Sequence, residues 1–209
     1  MLVQCDFDGT VTEKDVSFML LDAFADGNWR QWLKKFAADE ITVGRFNTKA
    51  FSMVTTGQQT MLDYLQDRVA VRAGFEEFTA FCREHGFRLV IVSNGLEFYI
   101  EWVLRNIGLP DIEIHAARTT FNPAGLQVQY LASDGSIIDN GHKEGYTDTF
   151  LAAGYNMVYI GDGRSDLSSA RRCHHVFATD RLLELCQQSE VNCYPFTDFN
   201  DIIRVMQSF

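Results

Sequence analysis

The sequence predicts an α/β fold, a parallel sheet flanked by helices with a helical cap inserted after the first strand. Three observations predict it. Apolar runs of strand length, Met1 to Cys5, Arg88 to Ser93 and Met157 to Ile160, alternate with segments of helical periodicity, the pattern of strands joined by helical crossovers. The first and last of these runs stop abruptly at acids, in Asp6-Phe7-Asp8-Gly9-Thr10 and in Gly161-Asp162-Gly163-Arg164-Ser165-Asp166, where a parallel sheet collects its reactive groups. Finally, the first two runs lie much further apart than the roughly 30 residues of a βαβ unit, so something is inserted between them.

The elements follow in order. After the first strand, Val16, Met19, Leu20, Ala23 and Phe24 repeat at three and four, as do Trp29, Trp32, Leu33 and Phe36, which makes residues 13–72 a helical cap and leaves 1–12 and 73–209 as the core. Gly74 opens a helix with Phe75, Phe78, Phe81 and Cys82 on one face, and this helix leads into the strand 88–93. Leu96 to Ile107 reads as the next helix, stopped by Gly108 and Pro110. A short strand is expected around Ile112 to Ile114, then an edge hairpin from Arg118 to Leu131 around Asn122-Pro123-Ala124-Gly125. Lys143 precedes a helix over 144–153, which leads into the strand before Asp162. A helix near Leu167 to Arg172, a strand Val176 to Ala178, and helices starting near Asp180 and Asp198 complete the chain.

Composition narrows the function classes. At 209 residues the chain accommodates one domain with an insertion. A net charge of −10 and the lack of a basic block argue against nucleic acid or an anionic membrane surface as partner and favour a small metabolite. The N-terminus has no basic flank and meets Asp6 and Asp8 almost at once, so no secretory signal is expected, and no apolar stretch approaches about 20 residues. The odd set Cys5, Cys82, Cys173, Cys186 and Cys193 contains no Cys-x-x-Cys pair and reads as reduced packing thiols, so a cytoplasmic protein is expected.

Each chemical motif has a plainer explanation. Asp8-Gly9 is a hairpin signal, but the residues after Thr12 turn helical and leave a second strand nothing to do. The helical spacing beyond Asn94-Gly95 makes that pair a strand-to-helix loop, which would present Ser93 and the Asn94 and Gly95 amides as an anion site at a helix N-terminus. The 161–166 segment matches no dinucleotide, phosphate-loop or EF-hand spacing, and Ser165 or Asp166 could merely cap a helix. Lys143 alone is a solvated lysine. Taken together, two acids, a hydroxyl with an amide nest, a lysine and two more acids form an ordered set at strand ends or helix starts, and four carboxylates suggest a metal-assisted site.

That set resembles the haloacid dehalogenase superfamily of phosphatases over nearly the whole chain. Asp6 to Thr10 looks like its first motif, Ser93 its second, Lys143 its third, and Asp162 with Asp166 its fourth. The resemblance implies a Rossmann-like sheet and, from the insertion after the first motif, the cap of phosphoserine-phosphatase-like members. It implies Asp6 as nucleophile forming an aspartyl phosphate, and Asp8 as general acid and then base. It also implies Mg²⁺ held by Asp6, the Asp8 carbonyl and Asp162, with Asp166 behind them. Ser93, the amide of Asn94 or Gly95, and Lys143 would hold the phosphoryl group.

Within the superfamily, Cys5 to Thr10, Asp15, Ser93 to Tyr99 and Phe177 to Leu183 resemble the methionine-salvage branch, which acts on a phosphorylated methylthio-keto sugar. Ile100 to Leu104 and Tyr159 to Gly163 are similar to phosphocholine and phosphoethanolamine phosphatases. Phosphoserine phosphatase is a third alternative, with Arg45 the nearby candidate for the substrate carboxylate. Asp15 would face a substrate amine or hydroxyl, or cap a helix. Trp29, Trp32, Phe36, Phe46 and Phe51 read as packing within the cap. A phosphotransferase, and a catalytically silent binding protein on the same fold, remain the rival classes.

Overall fold

The computed structural model describes residues 1–209. Eight strands form one sheet in the order β5-β4-β3-β2-β1-β6-β7-β8. The central strand β1 (Leu2–Cys5) lies parallel to β2 (Arg88–Leu96) on one side and to β6 (Met157–Gly161) on the other, with Cys5 opposite both Ile91 and Ile160. Every residue of β1 is buried, as is expected of a strand covered on both faces. β3 (Glu113–Thr120) continues the parallel sheet beyond β2, while β4 (Gln127–Leu131) and β5 (Ile137–Ile138) turn back antiparallel at that edge. β7 (His175–Ala178) and β8 (Tyr194–Pro195) extend the other side. The chain moves to opposite sides of β1 in β2 and β6, so a crevice opens beyond the carboxyl end of β1.

Four helices occupy the insertion: α1 (Val16–Phe24), α2 (Arg30–Ala37), α3 (Val43–Phe51) and α4 (Gln58–Leu65). Local signals start them, since Asp15 accepts from Phe18 N at 2.7 Å and Thr42 accepts from Arg45 N at 3.1 Å. The chain leaves and re-enters the sheet layer side by side, with Glu13 N donating to Ala70 O at 2.9 Å and Arg72 N to Val11 O at 2.7 Å. One apolar cluster runs unbroken from Leu20, Phe46, Phe51 and Met61 in the insertion to Val3, Ile91 and Ile160 in the sheet. Each such side chain contributes roughly 1.5–3 kcal/mol on full burial.

The remaining helices are α5 (Phe75–Glu84), α6 (Glu97–Asn106), α7 (His142–Ala152), α8 (Leu167–Ala170), α9 (Asp180–Gln188) and α10 (Phe199–Met206). All five cysteines are free, and no helix is long and apolar enough to cross a membrane.

Three elements differ from the sequence expectation. β2 does not end at Ser93 but continues to Leu96, because its register against β3 slips between Val92 and Leu96. Ser93, Asn94 and Gly95 therefore bulge within a strand end instead of forming a loop at a helix N-terminus. The expected short strand at 112–114 and the first arm of the hairpin are one strand, β3. Lys143 sits inside the first turn of α7, which starts at His142 after the left-handed Gly141.

Candidate active site

The ends of β1, β2 and β6 and the start of α7 bring the expected residues together. Asp6 leaves β1 with its Oδ1 accepting from Phe7 N at 2.7 Å, and its Oδ2 lies 2.6 Å from Lys143 Nζ. Lys143 also lies 2.5 Å from Asp166 Oδ1 and is only 2 % exposed. Burial lowers its proton affinity, but the carboxylates of Asp166 and Asp6 outweigh that and raise it above the ordinary lysine value. Lys143 is therefore a fixed cation. Burial lifts Asp6 to about 6 against the pull of Lys143, so Asp6 remains ionised at neutral pH.

Asp8 is surrounded differently. Its Oδ1 accepts from Val16 N at 2.9 Å and its Oδ2 from the Tyr99 hydroxyl. Burial, and then the nearby Asp15, push its carboxyl well above the usual range, which suits a group that must hold a proton. The two acids of one turn thus differ in environment. Asp15 caps α1 and also lines the cavity above Asp6, and burial pushes it up to about 7.

Asp162 accepts from the Thr10 hydroxyl at 2.8 Å. Gly9, at φ +77°, passes so close that any Cβ there would collide with the Asp162 carboxylate. Asp166 is fully engaged: Oδ1 accepts from Lys143 and from Tyr159 Oη at 2.7 Å, and Oδ2 accepts from the amides of Asp162 and Gly163 at 3.1 and 2.8 Å. Ser93 is buried, its Oγ accepting from Gly95 N at 3.0 Å. The Asn94 carbonyl accepts from Asn47 Nδ2 at 2.9 Å and Tyr130 Oη at 2.5 Å, which ties α3 to the end of β2.

Three features fit a divalent cation between β1 and β6. Carboxylate oxygens of Asp6, Asp162 and Asp166 lie within 4.8 Å of one another. The Asp8 backbone carbonyl accepts no hydrogen bond from the chain. Burial, and then Asp6 and Asp166, push Asp162 up to about 8, as expected where carboxylates outnumber cations. Each Asp166 oxygen already accepts two hydrogen bonds whereas each Asp6 oxygen has one partner, so Asp6, the Asp8 carbonyl and Asp162 could hold such a cation with Asp166 behind them.

A cavity of about 120 Å³ covers these groups, roofed by Phe18, Leu33, Phe36, Val43 and Phe46 of the insertion. It shares Phe36, Val43, Asn94, Lys143 and Ser165 with a second space of about 320 Å³. Two of the cap aromatics therefore face the cavity as well as the packing. Arg45 does not; it is exposed and lines a separate groove beside Ile137 and Ile138. Sequence reasoning missed Thr10, Asn47, Tyr99, Tyr130 and Tyr159. Of these, Tyr99 carried a signal, because four residues after Gly95 a helical side chain points back toward the preceding turn.

A model of the haloacid dehalogenase-like hydrolases matches residues 3–171. A 2-hydroxy-3-keto-5-methylthiopentenyl-1-phosphate phosphatase of Brevibacillus brevis (strain 47) is 28% identical over 99% of this chain and 95% of its own length. The protein of the same name from Geobacillus thermodenitrificans is 31% identical over 99% and 96%. Among solved structures, a phospho-aspartyl intermediate analogue of phosphoserine phosphatase superposes with a TM-score of 0.71 at 16% identity, covering 98% of this chain and 97% of that one. A substrate-bound phosphoserine phosphatase gives 0.71 at 17% identity, with the same coverage.

Proposed function

The chain belongs to the haloacid dehalogenase-like hydrolases and is a phosphatase of that superfamily, and from this premise we propose that it hydrolyses a small phosphorylated metabolite through an aspartyl phosphate on Asp6. The observation that carries the proposal is the buried array at the end of β1, where ionised Asp6 lies 2.6 Å from Lys143 and beside the Asp162 carboxylate.

In this reading an Asp6 oxygen attacks phosphorus, the bond to the leaving oxygen breaks, and Asp8 gives that oxygen its proton. Water then attacks the aspartyl phosphate, Asp8 takes the water's proton, and inorganic phosphate leaves with Asp6 restored. Lys143 and Ser93 hold the phosphoryl oxygens, and such preplaced charge is the main source of catalysis in phosphoryl transfer. Mg²⁺ bound to Asp6, the Asp8 carbonyl and Asp162 would supply the counter-charge for the carboxylates and the phosphoryl group. Residues 13–72 act as a cap that admits a small substrate and excludes water. Free thiols suit a reducing cytoplasm.

For the substrate, we favour the phosphorylated methylthio-keto compound that names the relatives, and with it a role in methionine salvage. An apolar roof of Phe18, Leu33, Phe36, Val43 and Phe46 suits an apolar tail. Lys143 is the one cation lining this cavity and is already paired with Asp6 and Asp166, which disfavours the carboxylate of phosphoserine; the next cation, Arg164, lines the adjoining space and is paired with Asp39. A second reading, phosphocholine or phosphoethanolamine, is favoured by Asp15 and the stacked Phe36 and Phe46, which line the same cavity, the ring centroids 5.8 Å apart.

Phosphate release from these four compounds and p-nitrophenyl phosphate, with Mg²⁺ and with chelator, tests the proposal. Turnover that needs Mg²⁺ and disappears in Asp6→Asn is expected, with the methylthio compound preferred. Residual activity within tenfold in Asp6→Asn would reject Asp6 as nucleophile. Phosphate release without an acceptor separates a hydrolase from a phosphotransferase or a silent binder. If the substrate is an amine, Asp15→Asn should lose it selectively; an unchanged preference would remove the second reading.

A further inference from the structure

The Asp8 carboxyl is clamped from two sides. Val16 N, in the first turn of α1, holds Oδ1 at 2.9 Å, and the Tyr99 hydroxyl of α6 holds Oδ2. Tyr99 is fully buried, and its Oη lies 2.8 Å from Ser17 Oγ, also on α1. With Ser17 donating to Tyr99, the phenol hydrogen is left for Asp8, so Ser17, Tyr99 and Asp8 form a one-way chain of hydrogen bonds. Ser17 alone would satisfy a buried phenol.

The neighbouring backbone is shaped to this contact. A Cβ on Gly95 would collide with both Tyr99 Oη and Asp8 Oδ2. Only glycine at 95 lets a side chain of α6 reach over the end of β2 to the acid on the β1 turn. Tyr99 also keeps its ring against Phe7, the residue between the two acids, with centroids 6.4 Å apart.

We propose that Tyr99 is a positioning residue for Asp8. Its hydroxyl fixes the rotation of the carboxyl group so that the proton is offered to the leaving oxygen from a constant direction. Each Asp8 oxygen keeps one free lone pair after accepting from Val16 or Tyr99, and the transferred proton occupies one of these. Without the phenol, Val16 holds a single oxygen and the carboxyl can turn about its Cβ–Cγ bond. Tyr99 does not touch the substrate in this scheme and acts only through the Asp8 carboxyl. The proposal rests on Asp8 being the general acid.

The test compares Tyr99→Phe, Asp8→Asn and the parent enzyme with Mg²⁺ present, in single-turnover assays on p-nitrophenyl phosphate and phenyl phosphate. The two substrates are alike in shape, but the phenolate is the poorer leaving group and depends more on protonation. Tyr99→Phe is expected to slow the first step with phenyl phosphate on the order of tenfold more than with p-nitrophenyl phosphate, in the same direction as Asp8→Asn and less severely. The Mg²⁺ concentration for half-activation should stay unchanged. Equal slowing on both substrates, or a shift in the Mg²⁺ requirement in its place, would overturn the proposal and reduce Tyr99 to packing. If Asp8→Asn itself shows no leaving-group dependence, the role of Asp8 falls and this inference falls with it. Should Tyr99→Phe not fold, Tyr99→Leu, which also lacks the hydroxyl at a smaller volume, is expected to show the same leaving-group dependence; its absence would equally reject the proposal.

Discussion

Lys143 is the residue on which the charge balance of the site depends. It is a buried cation between two buried carboxylates, and its removal leaves Asp6 and Asp166 facing each other without compensation. Breaking a buried pair typically costs about 3–5 kcal/mol, so Lys143→Met is expected to abolish turnover and to lower the urea midpoint by an amount of that order. A variant as stable as the parent would mean that one of the carboxylates is protonated in the fold. The exposed pair of Arg164 with Asp39 makes the contrast, since solvent screens it and its loss should cost at most about 1 kcal/mol. Asp6, Asp8, Asp162 and Asp166 stood out in the sequence because acids that end an apolar run have few structural reasons to be there, whereas Lys143, by itself a solvated lysine, stood out only through the family resemblance. Thr10, Tyr99 and Tyr159 did not, because each acts by holding another side chain, and a tyrosine at helical or strand spacing reads as packing. Asp15 is the helix cap that the sequence allowed, and it also lines the cavity, where the other expectation, that it faces a substrate amine or hydroxyl, stays a proposal.

Among the elements, the insertion and the sheet meet through polar contacts that leave no room for change. Thr42 Oγ1 donates to Asp139 Oδ1 at 2.8 Å and Gly44 N to Asp139 O at 3.2 Å, and a Cβ on Gly44 would strike that same carbonyl. Because the obstacle is backbone, Gly44→Ala must push α3 away from the 139–141 turn. Overpacking of this kind costs about 1–3 kcal/mol, so a thermal melt should show a clear loss. No loss would mean that α3 is free to shift on the sheet. α3 and α4 were expected only as part of a helical segment, whereas the first two helices of the insertion could be read in advance from their apolar spacing of three and four. β5 and β8 could not, being two residues each, too short for alternation to register. The end of β2 was misjudged for a different reason: Asn-Gly favours a turn locally, but pairing with β3 across a register slip kept the chain extended to Leu96.

At the scale of the whole molecule, a protein of net charge −10 binds an anionic substrate, and this is physically consistent only if the site supplies its own positive charge. Asp6 and Asp162 are raised to about 6 and about 8, above the ordinary carboxylate value near 4. A carboxyl raised in the fold contributes stability when protonated, and that contribution is lost as pH rises through the folded value. The metal-free protein should therefore lose stability between about pH 4 and pH 8, leaving the acids increasingly ionised at the upper end with Lys143 alone to compensate them. Mg²⁺ bound by these acids would replace the missing protons there, whereas at pH 6 protons would still compete with it. Ligand at 100 times its Kd stabilises by about 2.7 kcal/mol, which for a protein of this size raises Tm by roughly 5–10 °C. Thermal melts with Mg²⁺ and with chelator should differ by this order at pH 8 and by less at pH 6. Asp162→Asn removes one uncompensated charge and one ligand together, so it should melt above the metal-free parent at pH 8 and respond little to Mg²⁺. Identical melting of the parent with and without the ion at pH 8 would reject the metal site at the ends of β1 and β6, whatever the activity assays report.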